Sequence, residues 1–178
     1  MSPSAQKKLF NKQILGQYKT VLLKRKLKEK QKNILKKEAF KIIRTIPRSR
    51  SFTKLCCALL WWCEGNKDNS MVRFTSSDET LIKNFLYLLR SGFKIDESKL
   101  RVLVHLHTYH IDIKQRKFWS EVTGIPLKQF HKSYQKANTG KRQHENYQGC
   151  IAVTYYDAKI AKELEALYNV FSTFRGVR

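Results

Sequence analysis

The sequence predicts an α+β domain, one antiparallel sheet with its helices on one side, preceded by a basic helical arm. Three patterns carry that prediction. Apolar residues at helical spacing alternate along the chain with short period-two runs, and one such run, Lys99 to Thr108, is strictly two-faced. The charge also changes abruptly near residue 50. Beyond that point the segments read helix, strand, helix, strand, helix, strand, strand, helix, an order that buries both kinds of apolar face in one layer of helices on one sheet.

The chain has 178 residues, 42% of them hydrophobic, enough for one packed domain and an appendage. No run reaches the roughly 18 apolar residues of a membrane span, and the start lacks the apolar core of a signal peptide. A cytoplasmic location without a membrane partner is therefore expected. Lys and Arg number 36 against 14 Asp and Glu, a formal charge of +22. Such an excess repels itself and is most readily neutralised by a polyanion, so nucleic acid is the expected partner. Charge alone fits DNA and RNA equally.

The arm comes first. Residues 1–50 hold 16 basic and 2 acidic side chains, +14 of the total. Leu9, Ile14, Tyr18, Val21, Leu22, Leu27, Ile34, Leu35, Phe40 and Ile43 recur at mixed spacings of three and four, and no Pro or Gly interrupts Gln17 to Ile46. One or two helices with a lysine-rich face follow, stopped by Pro47, and their expected duty is contact with phosphates. Arg44, Arg48 and Arg50 form the basic link into the body.

The stretch Ser51 to Gly65 then predicts a helix of about three turns, with Ser51 as N-cap and Gly65 in the left-handed closing position. Glu64 is out of place there, since the negative end of a helix favours a cation. Met71 to Thr75 alternates as a short strand. Ser77 or Asp78 caps a helix from about Glu79 to Arg90 with a buried stripe of Leu81, Ile82, Phe85, Leu86, Leu88 and Leu89. Lys99 to Thr108 places Leu100, Val102, Val104 and Leu106 on one face and Arg101, Leu103, His105 and His107 on the other. Asp112 opens a helix that stops at Gly124. Leu127 to Gln135 alternates as a strand, Gly149 to Tyr155 is another, and Asp157 caps a last helix from Ala158 to about Phe171. Cys56, Cys57, Cys63 and Cys150 include no C-x-x-C pair, which points to reduced structural thiols. The chain contains neither a nucleophile elbow nor a glycine-rich phosphate loop.

Cys57-Ala58-Leu59-Leu60-Trp61-Trp62-Cys63-Glu64-Gly65, continued by Asn66-Lys67 and by Val72 to Asp78, resembles the signature helix of the LAGLIDADG homing endonucleases, in a bacterial single-motif form. Leu59 stands in place of the first Gly of the motif, and Trp62 in place of its first acid. The resemblance spans Ser51 to about Phe171 and leaves the arm outside it. It implies a saddle-shaped sheet laid on double-stranded DNA, and a homodimer in which two copies of the Ser51 to Gly65 helix pack together. Cys56, Cys57, Ala58 and Cys63 would permit the close approach, with Trp61 and Trp62 turned into each core. It further implies a Mg²⁺-dependent DNA endonuclease, with Glu64 and Gly65 at the metal and Lys136, Lys141 or Lys67 as the basic catalytic group. A regulator on the same fold that binds without cutting, and an RNA-binding splicing helper, are the alternatives.

Residues expected to touch nucleic acid are Arg44, Arg48, Arg50, Lys67, Arg73, Arg101, His105, His107, Lys128, Lys132, Lys136, Lys141 and Arg142. His105, His107 and His110 form His-x-His-x-x-His, but no further zinc ligand is spelled out nearby, so strand histidines facing nucleic acid or held in the core are expected.

Overall fold

The computed structural model describes residues 3–68, 70–136 and 146–174. The chain divides into two units between Pro47 and Arg48. The first is a single helix, α1 (Pro3–Thr45), whose large apolar side chains from Ile14 to Ile43 are exposed.

The second unit holds α2 (Arg50–Glu64), β1 (Val72–Ser76), α3 (Glu79–Gly92), β2 (Leu100–His107), α4 (Asp112–Thr123), β3 (Tyr134–Lys136), β4 (Cys150–Tyr155) and α5 (Ala158–Thr173). It is an α+β body with a four-stranded mixed sheet in the order β1-β4-β2-β3. β4 runs antiparallel to both β1 and β2. β3 instead lies parallel to β2, so the sheet is not antiparallel throughout. Alternation along a strand fixes which side chains share a face but is silent on direction. Here α4 is the crossover a parallel neighbour needs, carrying the chain back to where β2 began.

The Leu127 to Gln135 segment also departs from a continuous strand. Pro126 leads into a 3-10 turn over Leu127–Gln129, and the Gln129 amide donates to the carbonyls of Glu97 and Leu100 at 2.7 and 2.8 Å. Only Tyr134–Lys136 joins the sheet.

Two helix ends differ from expectation. Ser49, not Ser51, caps α2: its backbone is extended and its hydroxyl accepts the Phe52 N–H at 3.1 Å. Gly65 is extended at φ −87°, ψ 164°, rather than left-handed. A side chain is excluded there by a close approach, since a Cβ would collide with the Trp61 carbonyl oxygen and stand 2.6 Å from its indole nitrogen. Gly124 does take the left-handed conformation, at φ 68°, and closes α4. Asp78 and Asp157 cap α3 and α5 with their carboxylates.

The core forms where the helices of the body meet one face of the sheet. Leu100, Val102, Val104 and Leu106 of β2 are fully buried, joined by Phe74, Ile151, Val153 and Tyr155 from the other strands. Against them lie Cys57, Ala58 and Trp61 of α2, Ile82, Phe85 and Leu89 of α3, Trp119 of α4, and Leu164 of α5. Phe74 and Phe85 stack at 4.1 Å and bind β1 to α3. Arg50 donates to the Gly92 carbonyl at 2.9 Å, and Lys54 pairs with Glu163. Both polar contacts tie α2 to its neighbours. No helix among the described residues is long and apolar enough to cross a membrane.

Candidate nucleic-acid interface

Glu64 is exposed at the end of α2, and contacts from its neighbours hold that end in place. Trp61 is fully buried and donates its indole N–H to the Arg73 carbonyl at 3.1 Å. The Gly65 N–H returns to the Trp61 carbonyl at 2.7 Å, and Gly65 bridges to Phe74 of β1. The Lys67 ammonium donates to the carbonyls of Trp61 and Trp62, supplying the cation that the negative helix end favours. Lys67, expected among the phosphate contacts, is thus engaged in closing the helix. Trp62 stacks flat on Tyr168 at 5.3 Å and 4°.

Trp62 is not turned into the core, for it remains 38% exposed. The small residues of α2 do not share one face either. Cys57 and Ala58 are fully buried inside their own chain, while Cys56 is half-buried and Cys63 exposed. A 3.6-residue repeat explains the split, because positions 56 and 63 lie two turns apart on one side and 57, 58 and 61 on the other. Phe52, Cys56, Leu59 and Cys63 therefore make the outer stripe. Burial pushes the Cys57 thiol up to about 12, with Cys56 adding to it, so this cysteine is an inert core residue.

The face of the sheet opposite the core carries the basic strand residues. Strand register places Arg73, Thr154 and Arg101 in one row across β1, β4 and β2, and Cys150, His105 and Tyr134 in another across β4, β2 and β3. Arg73 Nε donates to the Thr154 hydroxyl at 3.1 Å, which holds the guanidinium over the sheet. Arg101 donates to the carbonyls of Ser98 and Leu100. Burial holds the His105 imidazole below its ordinary value, and the charges of Lys136 and Arg73 lower it further. The role of Thr154 was invisible in the sequence, because it depends on register.

Lys136 and Glu64 are not brought together within one chain. Gly65 pairs with the outer edge of β1 and Lys136 lies on β3 at the far side, four strand spacings or about 19 Å across the sheet. Lys141 and Arg142 lie outside the described residues. Arg48 is exposed in the link, Lys128 in the 3-10 turn and Lys132 before β3, while Arg44 sits on α1, 5.6 Å over the Phe40 ring.

The histidines do not assemble a zinc site. His110 Nδ1 accepts the His107 N–H at 2.9 Å, which makes Nε2 the protonated nitrogen, and Nε2 donates to the Tyr147 carbonyl at 2.9 Å. Neither nitrogen of His110 keeps a lone pair for a metal. Among the described residues no three His, Cys, Asp or Glu side chains converge as metal ligands. No family model matches the chain, and no curated protein or solved structure does so.

Proposed function

We propose that this chain is a DNA-binding protein of the LAGLIDADG type, acting as a homodimer and as a Mg²⁺-dependent endonuclease through Glu64. The observation that carries the reading is the anchored, exposed carboxylate at the end of a core helix, where stability alone would favour a cation. The basic row of Arg73 and Arg101 on the open sheet face and the charge of +22 support a DNA backbone as ligand. In this reading that face is the saddle on the duplex.

Mg²⁺ in such sites takes one or two carboxylates and fills its other positions with phosphate oxygens and water. Glu64 and the Gly65 carbonyl fit half of that donor set, and a second copy supplies the other half. When bound, the ion would activate water and offset charge on the leaving oxygen. The residues of the chain do the rest: the anchored end of α2 presents the Glu64 carboxylate to solvent, and Arg73 and Arg101 hold phosphates on the sheet. The outer stripe of Phe52, Cys56, Leu59 and Cys63 is the surface through which two copies of α2 would pack.

Binding without cutting is the second reading. It is favoured by Trp62, which occupies the place of the companion acid and is committed to Tyr168, and by the distance between Glu64 and Lys136. One experiment separates the two. Purified wild type and Glu64→Gln are incubated with supercoiled and linear DNA, with and without Mg²⁺. The endonuclease reading expects Mg²⁺-dependent cleavage that falls by several orders of magnitude in Glu64→Gln while binding in Ca²⁺ persists. Equal binding with no cleavage by either protein would establish the regulator.

A further inference from the structure

We infer that the β3 end of the open sheet face takes an unpaired nucleotide, with its base stacked on Tyr134 and its phosphate near Lys136. The inference rests on the DNA-binding reading above and specifies which part of a DNA ligand this corner recognises.

Tyr134 is 57% exposed, on an edge strand whose three residues are all exposed. Its ring contacts His105 at 5.6 Å between centroids and 59° between planes, which fixes it on the same face as His105. The imidazole sets the ring in place beside β2, and more than half of the phenol stays open to solvent. The parallel register sets Lys136 beside His107, two residues beyond Tyr134 and on the same side of the strand. Ring and cation thus lie in line along one short strand.

The neighbouring rings do not offer the same surface. His107 stacks on Tyr109 at 5.5 Å and 8°, Tyr109 lies 4.3 Å from His110, and His110 packs on Tyr147. Those four are engaged with one another. A tyrosine on an edge strand also has a simpler explanation, since aromatic residues suit strands. That preference accounts for its place in a strand but not for a ring left open beside a lysine on a basic face.

The chemistry then discriminates between ligands. A duplex keeps its bases stacked inside and presents phosphates, sugars and groove edges. An unpaired base presents a π-face, and stacking such a face on an aromatic side chain strengthens binding roughly tenfold or more. Tyr134 adds little to a blunt duplex and much to a single-stranded end, a gap or an extruded base.

The test uses the full chain and two DNA ligands, a blunt duplex and the same duplex with a short single-stranded extension carrying 2-aminopurine. Wild type is expected to bind the extended ligand about tenfold tighter than the blunt one and to quench the 2-aminopurine fluorescence by stacking. Tyr134→Phe keeps both effects. Tyr134→Ala loses both, while its affinity for the blunt duplex stays within about twofold of wild type. An extension that brings no advantage overturns the inference, as does a Tyr134→Ala protein that retains the advantage and the quench. Equal losses on both ligands in Tyr134→Ala would make the ring a backbone contact or a support of the sheet, and also overturn it. A wild-type protein that binds neither ligand removes the DNA-binding reading itself, an outcome distinct from all of these.

Discussion

Gly65→Ala is a small change whose cost follows from one close approach. Gly65 is extended, at φ −87°, so alanine is conformationally acceptable and the left-handed explanation for a helix-closing glycine does not apply. The added Cβ would overlap Trp61 Cδ1 and the Trp61 carbonyl oxygen. Neither can move freely, because Trp61 is fully buried and its indole is bonded to the Arg73 carbonyl. Overpacking of this kind costs about 1–3 kcal/mol, and displacing Gly65 also strains its 2.7 Å hydrogen bond to Trp61, worth about 1 kcal/mol. The expected loss is about 2–4 kcal/mol. For a body of this size, at roughly 3–4 °C per kcal/mol, the melting temperature should fall by about 6–16 °C. Circular dichroism on heating, supported by urea titration, measures it. Gly65→Asn sharpens the test, since asparagine tolerates a left-handed site but meets the same collision here. A Gly65→Ala protein melting within about 1 °C of wild type, or a Gly65→Asn protein clearly more stable than Gly65→Ala, would refute the reasoning.

Further expectations follow from the same geometry. Leu59→Arg on the outer stripe of α2 should turn a dimer into a folded monomer, checked by light scattering with circular dichroism; a wild type that is monomeric with and without DNA rejects that seam. Ala58→Arg is expected to unfold the body instead, because Ala58 is fully buried in its own chain and an unpaired cation there is uncompensated. The lowered His105 pKa means that the folded protein binds fewer protons than the unfolded one. His105 therefore reduces stability as pH falls through its ordinary value of 6.5, and His105→Gln should flatten that slope in urea titrations. Phosphates set against His105 would draw its pKa back up, so DNA affinity should rise over the same interval in wild type and not in His105→Gln.

Several features were legible from the residues alone because they depend on local periodicity. The two faces of β2, the capping carboxylate of Asp157 and the stop of α4 at Gly124 each follow from spacing or from the chemistry of one side chain, whereas the choice of Asp78 over Ser77 as the cap of α3 needed the backbone. The direction of β3 did not, since alternating residues look the same in a parallel and an antiparallel neighbour, and α4 made the choice. Ser51 was the expected cap of α2, and the extended backbone of the link gave that place to Ser49, whose side chain has the same chemistry. The small residues of α2 looked like one contact surface, but only packing on α3 and α5 decides that Cys57 and Ala58 face inward and Cys56 and Cys63 outward.

The candidate site divides in the same way. By itself the sequence determined that a carboxylate ends an apolar helix, that the arm carries most of the charge, and that Arg101, His105 and His107 share one strand face. Only the tertiary structure decided that Lys67 closes α2, that Trp62 lies on Tyr168, that Arg73 and Arg101 flank Thr154, and that Lys136 stands across the sheet from Glu64. Periodicity is a property of neighbours in the chain, whereas these contacts join residues far apart in sequence, whose meeting depends on strand order, register and the packing of helices over one face.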